Sequence, residues 1–490
     1  MFFKENYNIE SKLIRDPIYD FIELPHVFIP IVDHSLFQRL RWISQLPLEQ
    51  LVYPSAQHSR FEHSLGVMYL AMVAAVSLIS NSKVIMEGLF DKDDDFNKII
   101  GMENKCTEFV LSAGLSGLLH DLGHAPFSHT LEEACKYSKI PYKYDHEEIG
   151  FFLAKQLLDE LNLLDKIFVK KTLKVLNKNL KEINSELAPL ENVIRKLIDG
   201  PIDVDKGDYI YRDSYHCGTN YGFYDIQRLW RNIAINKENY TIGVNKKGAL
   251  EAWSLRFQRY KMYKNVYKHH TRNITDSMLI DILATSFDIA ANKKPENIHS
   301  LIPTFQSLDD LSNKENLNIF KFWTDNSILK EISSNPNSAS PRIDQFLQRK
   351  IYKRCSEIDL AKYPEALYKI KGSNDFVLQL RELKLHLHDS KQLNFDFHID
   401  KVVLPPVFEK EVQNEIRLIE DGIPTLTLAE FLDFSVNSSE IPRNSNNNSE
   451  DNIEPSIKYV LYLYIEESSK HMENILLSEI GLFLKSFSIN

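Results

Sequence analysis

The sequence predicts a mainly α protein: a helical body with a short N-terminal hairpin, and behind it a smaller α+β C-terminal region. Three observations predict this. Apolar residues recur at three- and four-residue spacing through 62–80, 107–119, 146–164, 186–199 and 250–290, which is the period of a helix with one buried face. Strand-like runs are confined to the N-terminus and to the stretches "ELKLHLHD" (382–389) and "IKYVLYLYI" (457–465). The 490 residues are 43% hydrophobic and 26% charged, so the chain can bury a sizeable core.

Taken in order, residues 12–24, "KLIRDPIYDFIEL", set β-branched and aromatic residues around an Asp-Pro break and read as a hairpin. From 25 to 290 the pattern is mostly helical. The run 65–79, "LGVMYLAMVAAVSLI", is short for a bilayer span and is headed by Arg60, Glu62 and His63. It reads as a buried helix, and no membrane partner is expected. "NKKG" (245–248) is a turn and "SSNPNSASP" (333–341) a loop. Residues 468–485 read as a closing amphipathic helix. The Asn/Ser-rich stretch 435–455 cannot bury enough apolar surface to offset its ordering, so a mobile loop is expected there. There are no internal repeats. The texture changes near 300, which divides the chain into 1–300 and 301–490.

The net charge of -10 argues against a nucleic-acid backbone as the main partner. Cys106, Cys135, Cys217 and Cys355 form no CxxC pair, so neither a zinc knuckle nor a disulfide framework is indicated. The start, "MFFKENYNIESK", lacks the basic-then-apolar order of a signal peptide, and a cytoplasmic location is expected.

The chemistry concentrates in "LLHDLGHAPFSHTLEE" (118–133), which packs His120, Asp121, His124, His129 and Glu132 behind an apolar run. His120 and Asp121 make half a metal site, of a donor type that suits Mn, Fe, Ni, Co or Zn better than Ca. Upstream, in "HSRFEHSLG" (58–66), His63 opens a buried helix and needs a partner. Downstream, "PIDVDKGDYIYRD" (201–213) is dense in Asp203, Asp205, Asp208 and Asp213. Asp205, Asp208 or Tyr209, and Arg212 share one helical face there. A carboxylate from this segment would complete a His–His–Asp–Asp set.

With these residues in place, the pattern resembles the HD-domain metal-dependent phosphohydrolases. "FQRLRWISQL" (37–46), "HSRFEHSLGVMYLA" (58–71), "LLHDLGHAPFSHTLE" (118–132), "DHEEIG" (145–150) and "IDVDKGDYIYRDSYHCG" (202–218) resemble, in order and spacing, the deoxynucleoside triphosphate (dNTP) triphosphohydrolase branch. The resemblance covers roughly 12–290 and continues weakly through "WTDNSILKEI" (323–332). It implies an HD-domain helical core. It also implies His63, His120, Asp121 and Asp205 as metal ligands, with Mg accompanying the nucleotide phosphates. His124, His129, His146 and Glu147 would line the chemistry. Arg60, Lys206, Tyr209 and Arg259 would hold the triphosphate, Asp213 and Tyr267 the sugar, and Gln45 and Leu46 the sugar and base. The family has Asp or Glu at the position of Glu132. Glycines often follow the position of Leu46 in the family, whereas here the chain reads "PLEQL" (47–51).

Cleavage at an α-phosphate needs a Lewis acid, an activated water, cations that absorb charge and a proton for the leaving 5′-oxygen. A histidine is the natural donor of that proton. His129 is the expected one, oriented by Glu132 or His124, since His129 and Glu132 are one helical turn apart. The resemblance further implies a regulatory site for GTP or a dNTP, with Lys12, Asp33, Gln38 and Arg41 at the matching places. Arg228, His269 and His270 are candidates for a neighbouring effector pocket. Assembly to a homo-oligomer, tetramer or dimer, is expected. The leading reading is hydrolysis of dNTPs to deoxynucleoside and inorganic triphosphate. Its alternatives are an HD-type phosphodiesterase or nuclease on single strands or modified nucleotides, and a non-catalytic nucleotide sensor.

Overall fold

The computed structural model describes residues 2–138, 144–178, 187–293, 311, 314–334, 340–364, 383, 397–404, 416–428, 430–431, 458–465 and 467–486. The expected strand at 382–389, apart from Leu383, and the expected mobile loop at 435–455 lie outside these residues.

The fold is mainly α. The N-terminal hairpin pairs Ser11–Asp16 with Asp20–Pro25 in antiparallel register. Its turn is closed by the Asp16 carboxylate, which accepts the backbone N–H groups of Ile18 at 2.8 Å and Tyr19 at 3.0 Å, the turn chemistry that favours Asp before such a bend. The centre of the body is the helix Arg60–Asn81. It is long and apolar enough to cross a membrane, with mean hydropathy 1.7, yet 72% of that window is buried inside the protein. Met102–Leu119 packs along it. Around this pair lie His129–Tyr137, His146–Glu160, Ile167–Leu176, Pro189–Ile198 and Val204–His216. Two of these helices start on side-chain caps: Asp145 accepts from the N–H of Glu147 and Glu148, and Asp203 from that of Lys206.

The periodic stretch 250–290 is a helix, Ala249–Met262, then a single π-turn at Tyr263–Tyr267, then a second helix, His270–Lys293. The C-terminal region is α+β. A three-stranded sheet has Lys458–Ile465 at its centre, between Lys353–Asp359 and Phe397–Leu404. Ile233–Ile235 and Ile242–Val244 extend into Arg417–Glu420 and Ile423–Thr427 to form a four-stranded sheet. Leu317, Phe320, Trp323 and Ile328 share one hydrophobic core with the N-terminal helices. Helices overlap both ends of the loop read at 333–341: Asp325–Ser334 runs through Ser334, and the next helix opens at Ser340, with 335–339 outside the described residues. The closing helix begins as a 3₁₀ segment, Glu467–Met472, before Glu473–Ser486.

The approach of the hairpin and helix Val204–His216 to the central helix leaves no space at Gly66. A Cβ there would stand 2.0 Å from Asp208 Oδ1 and 2.4 Å from Arg212 Nη2. Both groups are buried and ion-paired, so neither can swing aside without leaving a charge unpaired. Gly66→Ala is therefore expected to destabilise the fold by about 2 kcal/mol or more. Thermal unfolding checks this, and an unchanged Tm would contradict the packing described.

Candidate metal centre and active site

His63 sits one turn into the central helix, His120 and Asp121 just past the end of Met102–Leu119, and Asp205 in the first turn of Val204–His216. The three helices bring one donor atom each of His63, His120 and Asp205 to within 4.8 Å of one another. His63 Nε2 lies 3.0 Å from Asp205 Oδ1 and 3.7 Å from Asp121 Oδ2. His120 Nε2 lies 3.3 Å from Asp121 Oδ1 and 3.5 Å from Asp205 Oδ1.

The other ring nitrogens explain why this point suits a cation. His63 Nδ1 donates to Asp208 Oδ2 at 2.8 Å, and His120 Nδ1 donates to the Gly117 carbonyl at 2.8 Å. Both Nε2 atoms then face the Asp205 carboxylate. His120 Nε2 is buried and has no hydrogen-bond partner. The carboxylates of such a set need positive charge in their midst, which protons on the imidazoles or a metal cation can supply. Burial opposes charge on His63, but its hydrogen bonds to Asp205 and Asp208 overcome this and raise its pKa to about 10. Asp205 is held far below the usual carboxylate range by His120 and His63 despite its burial. Two imidazoles and two carboxylates fit a divalent transition metal.

Asp208 is the support behind His63. Its carboxylate also accepts from Arg212 Nε and Nη2, each at 2.9 Å, and from the Tyr19 hydroxyl at 2.9 Å. Arg212 Nη1 in turn reaches Asp16 Oδ2 at 2.8 Å. The hairpin turn is thus wired to the metal-facing histidine. Sequence reasoning missed this role; the available signal was the i, i+4 pair Asp208 and Arg212.

Next to the metal set lies a cluster of three histidines and a glutamate. His124 Nε2 is 3.2 Å from Asp121 Oδ1, and its ring stacks on His146 with centroids 4.0 Å apart. Glu132 accepts from His129 Nδ1 at 3.0 Å and from His146 Nδ1 at 2.7 Å. Burial, then the Arg60 charge, pushes His124 well below its ordinary pKa, so it is neutral. Burial disfavours charge on His146 too, but Glu132 wins and raises its pKa. Gly123 permits this assembly, because a Cβ there would stand 2.0 Å from the His146 carbonyl oxygen. The carboxylate of Glu147 is not brought to the cluster. Adjacent residues on a helix diverge by about 100°, and Glu147 pairs instead with Lys178.

Arg60 is buried, ion-pairs with Asp121, and donates from Nε to Ser128 Oγ at 2.8 Å. Lys206 pairs with Asp203 and donates to the Gly200 carbonyl at 3.2 Å. Arg259 Nε donates to the Tyr209 hydroxyl at 3.4 Å. The π-turn presents Tyr267, whose hydroxyl donates to Asp213 Oδ2 at 2.6 Å. The other Asp213 oxygen takes His58 Nε2 at 2.8 Å, a partner not foreseen from the sequence. Leu46 is buried, and Gln45 donates its backbone N–H to the His58 carbonyl at 3.0 Å.

The segment joining the histidines is strained. Phe127 and Ser128 have φ of 56° and 50°, a region that costs a non-glycine residue about 1–3 kcal/mol. Elsewhere, Lys12, Asp33 and Arg41 line a cavity of about 370 Å³ together with Asp16 and Glu62. Gln38 is not among its lining residues. Its amide bonds the Val32 carbonyl at 2.7 Å, and its oxygen accepts from Arg41 at 2.8 Å. Arg228 donates to the Lys247 carbonyl at 3.1 Å, and His269 and His270 lie side by side with ring centroids 4.4 Å apart.

These contacts predict that Asp208→Asn weakens metal binding roughly 10- to 100-fold through His63, although Asp208 faces no metal. Metal titration followed by calorimetry measures this, and an unchanged affinity would contradict it.

Residues 60–200 match the HD domain family. An uncharacterized protein of Methanocaldococcus jannaschii is 37% identical over 270 residues, covering 55% of this chain and 48% of that protein. The deoxynucleoside triphosphate triphosphohydrolase SAMHD1 of Homo sapiens is 28% identical over 302 residues, covering 56% of this chain and 45% of that protein. The chain thus spans about half the length of these curated relatives. A solved phosphohydrolase structure from Bacteroides thetaiotaomicron superposes with a TM-score of 0.65 at 23% identity, covering 94% of this chain and 100% of that one, a likeness of fold. Residues 60–200 are an HD domain, and the chain around them resembles the HD-domain dNTP triphosphohydrolases.

Proposed function

We propose that the protein is a metal-dependent phosphohydrolase that converts dNTPs to deoxynucleoside and inorganic triphosphate. One observation carries this reading. The donors His63, His120, Asp121 and Asp205, which could hold a cation, stand beside the His124–His129–Glu132–His146 cluster, with Arg60 paired to Asp121. When bound, the metal supplies Lewis-acid polarisation of the α-phosphate and a more acidic water. The chain supplies the rest. Arg60, Lys206 and Arg259 hold the triphosphate, exchanging part of their present pairing with Asp121, Asp203 and Tyr209 for phosphate oxygens. His129, with its Nδ1 tied to Glu132, delivers a proton from Nε2 to the leaving 5′-oxygen. Its side chain is 68% exposed, so it can exchange that proton with solvent. His124 and His146 border the same phosphate.

Asp213, fixed between His58 and Tyr267, receives the sugar 3′-hydroxyl. The Tyr267 ring packs under C2′ and excludes a 2′-hydroxyl, which sets the preference for deoxyribose. Gln45 and Leu46 border the sugar and base. The cavity with Lys12, Asp33 and Arg41 takes a regulatory nucleotide, GTP or a dNTP, whose phosphates meet the two cations. Nucleotide binding there is coupled to assembly of a homo-oligomer.

Purified protein with Mn²⁺ or Mg²⁺ and each dNTP, alone and in mixtures, is expected to release deoxynucleoside and triphosphate in equal amounts. Asp205→Ala and His120→Ala abolish the release. Absence of both products under every mixture, or degradation of oligonucleotides instead, overturns the reading. Tyr267→Ala is expected to narrow the discrimination between dNTPs and ribonucleotides by 10-fold or more, about 1.4 kcal/mol. The ratio of kcat/KM for a dNTP and its ribonucleotide checks this, and an unchanged ratio would remove Tyr267 from the sugar.

A further inference from the structure

We propose that Asp325 is a positioning residue that pins the strained Phe127–Ser128 bend and, through it, aims Arg60 into the active site. Asp325 opens the helix Asp325–Ser334, far along the chain from the metal and phosphate residues. Its side chain is buried, and its two oxygens are both engaged by backbone donors. Oδ1 accepts the N–H of Phe127 at 2.8 Å, and Oδ2 accepts the N–H of Ser44 at 2.9 Å.

Each of these donors belongs to a wall of the site. Ala125-Pro126-Phe127-Ser128 is a turn closed by the Ser128 N–H on the Ala125 carbonyl at 2.9 Å. With proline second and a left-handed third residue it has type II character, where glycine is the normal third residue. Phe127 stands there instead, and Ser128 follows with φ 50° and ψ −122°. Pro126 suits the second position of this turn, but neither Phe127 nor Ser128 favours its own positive φ, so a contact from elsewhere has to help hold them. Ser128 then offers its Oγ to Arg60 Nε at 2.8 Å. On the other wall, Ser44 bridges to Ser59, and the Arg60 N–H donates to the Ile43 carbonyl at 3.0 Å. One carboxylate therefore fixes both the backbone that starts Arg60 and the hydroxyl that receives its side chain.

Arg39 holds the same bend from its other end. Its buried guanidinium donates to the Leu122 carbonyl at 2.9 Å and approaches the Trp323 carbonyl, two residues before Asp325, at 3.5 Å. Through Arg39 at Leu122 and Asp325 at Phe127, the segment 323–325 is tied to the chain on either side of His124.

The test compares Asp325→Ala, Asp325→Asn and Ile328→Ala, the last a buried apolar residue of the same helix. Two measurements are made on metal-loaded protein: amide hydrogen exchange of 122–131, and kcat and KM for dNTP hydrolysis. The kinetic arm rests on the proposed activity; the exchange arm does not. Asp325→Ala is expected to speed exchange selectively at 122–131 and at 43–45. It is expected to lower kcat roughly 10- to 100-fold, with KM within about threefold. Asp325→Asn, which keeps one acceptor oxygen, falls between Ala and wild type in both. Ile328→Ala lowers Tm but leaves kcat per folded molecule and the local exchange pattern as in wild type. Unchanged exchange at 122–131 in Asp325→Ala overturns the pin, whatever the activity. Faster exchange with unchanged kcat overturns its catalytic role. A wild-type protein with no dNTP hydrolysis refutes the proposed substrate and leaves exchange to decide the pin.

Discussion

The hydrogen bond from His63 Nδ1 to Asp208 is the contact on which the site depends. It decides which nitrogen of His63 faces inward, and hence that Nε2 meets Asp205. A lone carboxylate buried at this depth would be costly. Asp208 is tolerated because Arg212 grips both its oxygens, Tyr19 adds a hydroxyl, and Asp16 balances the rest of the guanidinium. These demands explain features that otherwise look unrelated. Gly66 must lack a side chain, the hairpin must dock on helix Val204–His216, and Arg212 must lie one turn beyond Asp208.

Asp16 has a second consequence. It closes the hairpin turn, pairs with Arg212, and lines the cavity that also contains Lys12 and Arg41. A chain of hydrogen bonds through Arg212 and Asp208 links Asp16 to His63. Under the proposed regulation, a nucleotide bound there would touch the support of a metal ligand through charged groups already in register. The His124–His129–Glu132–His146 cluster is supported from another side, by Gly123 beneath His146 and by the Phe127–Ser128 bend ahead of His129.

Much of this was legible in the sequence, for identifiable reasons. Helical periodicity marked the body because its helices bury one face, and the Asp-Pro break marked the hairpin. His63, His120 and Asp121 stand out as metal-donor types beside apolar runs, whereas the choice of Asp205 among the four aspartates of 203–213 came from the resemblance to the HD-domain phosphohydrolases. Where these side chains point was not legible. Periodicity places Glu147 next to His146, but only the packed fold turns it toward Lys178. The partners of Asp213, of Ser128 and of the Phe127 N–H come from distant segments and leave no local trace. Residues 333–334 carry loop composition yet complete a helical turn, since their backbone bonds outweigh weak local preference.

The central claim is that the inward nitrogens of His63 and His120, with Asp121 and Asp205, form one cation site. Anomalous diffraction from crystals grown with Mn²⁺ tests it most directly. A peak is expected at about 2.0–2.3 Å from His63 Nε2, His120 Nε2 and a carboxylate oxygen each of Asp121 and Asp205. A peak instead between His124, Glu132 and His146, the other group of donors that lie together among the described residues, or no peak at either place, would contradict it.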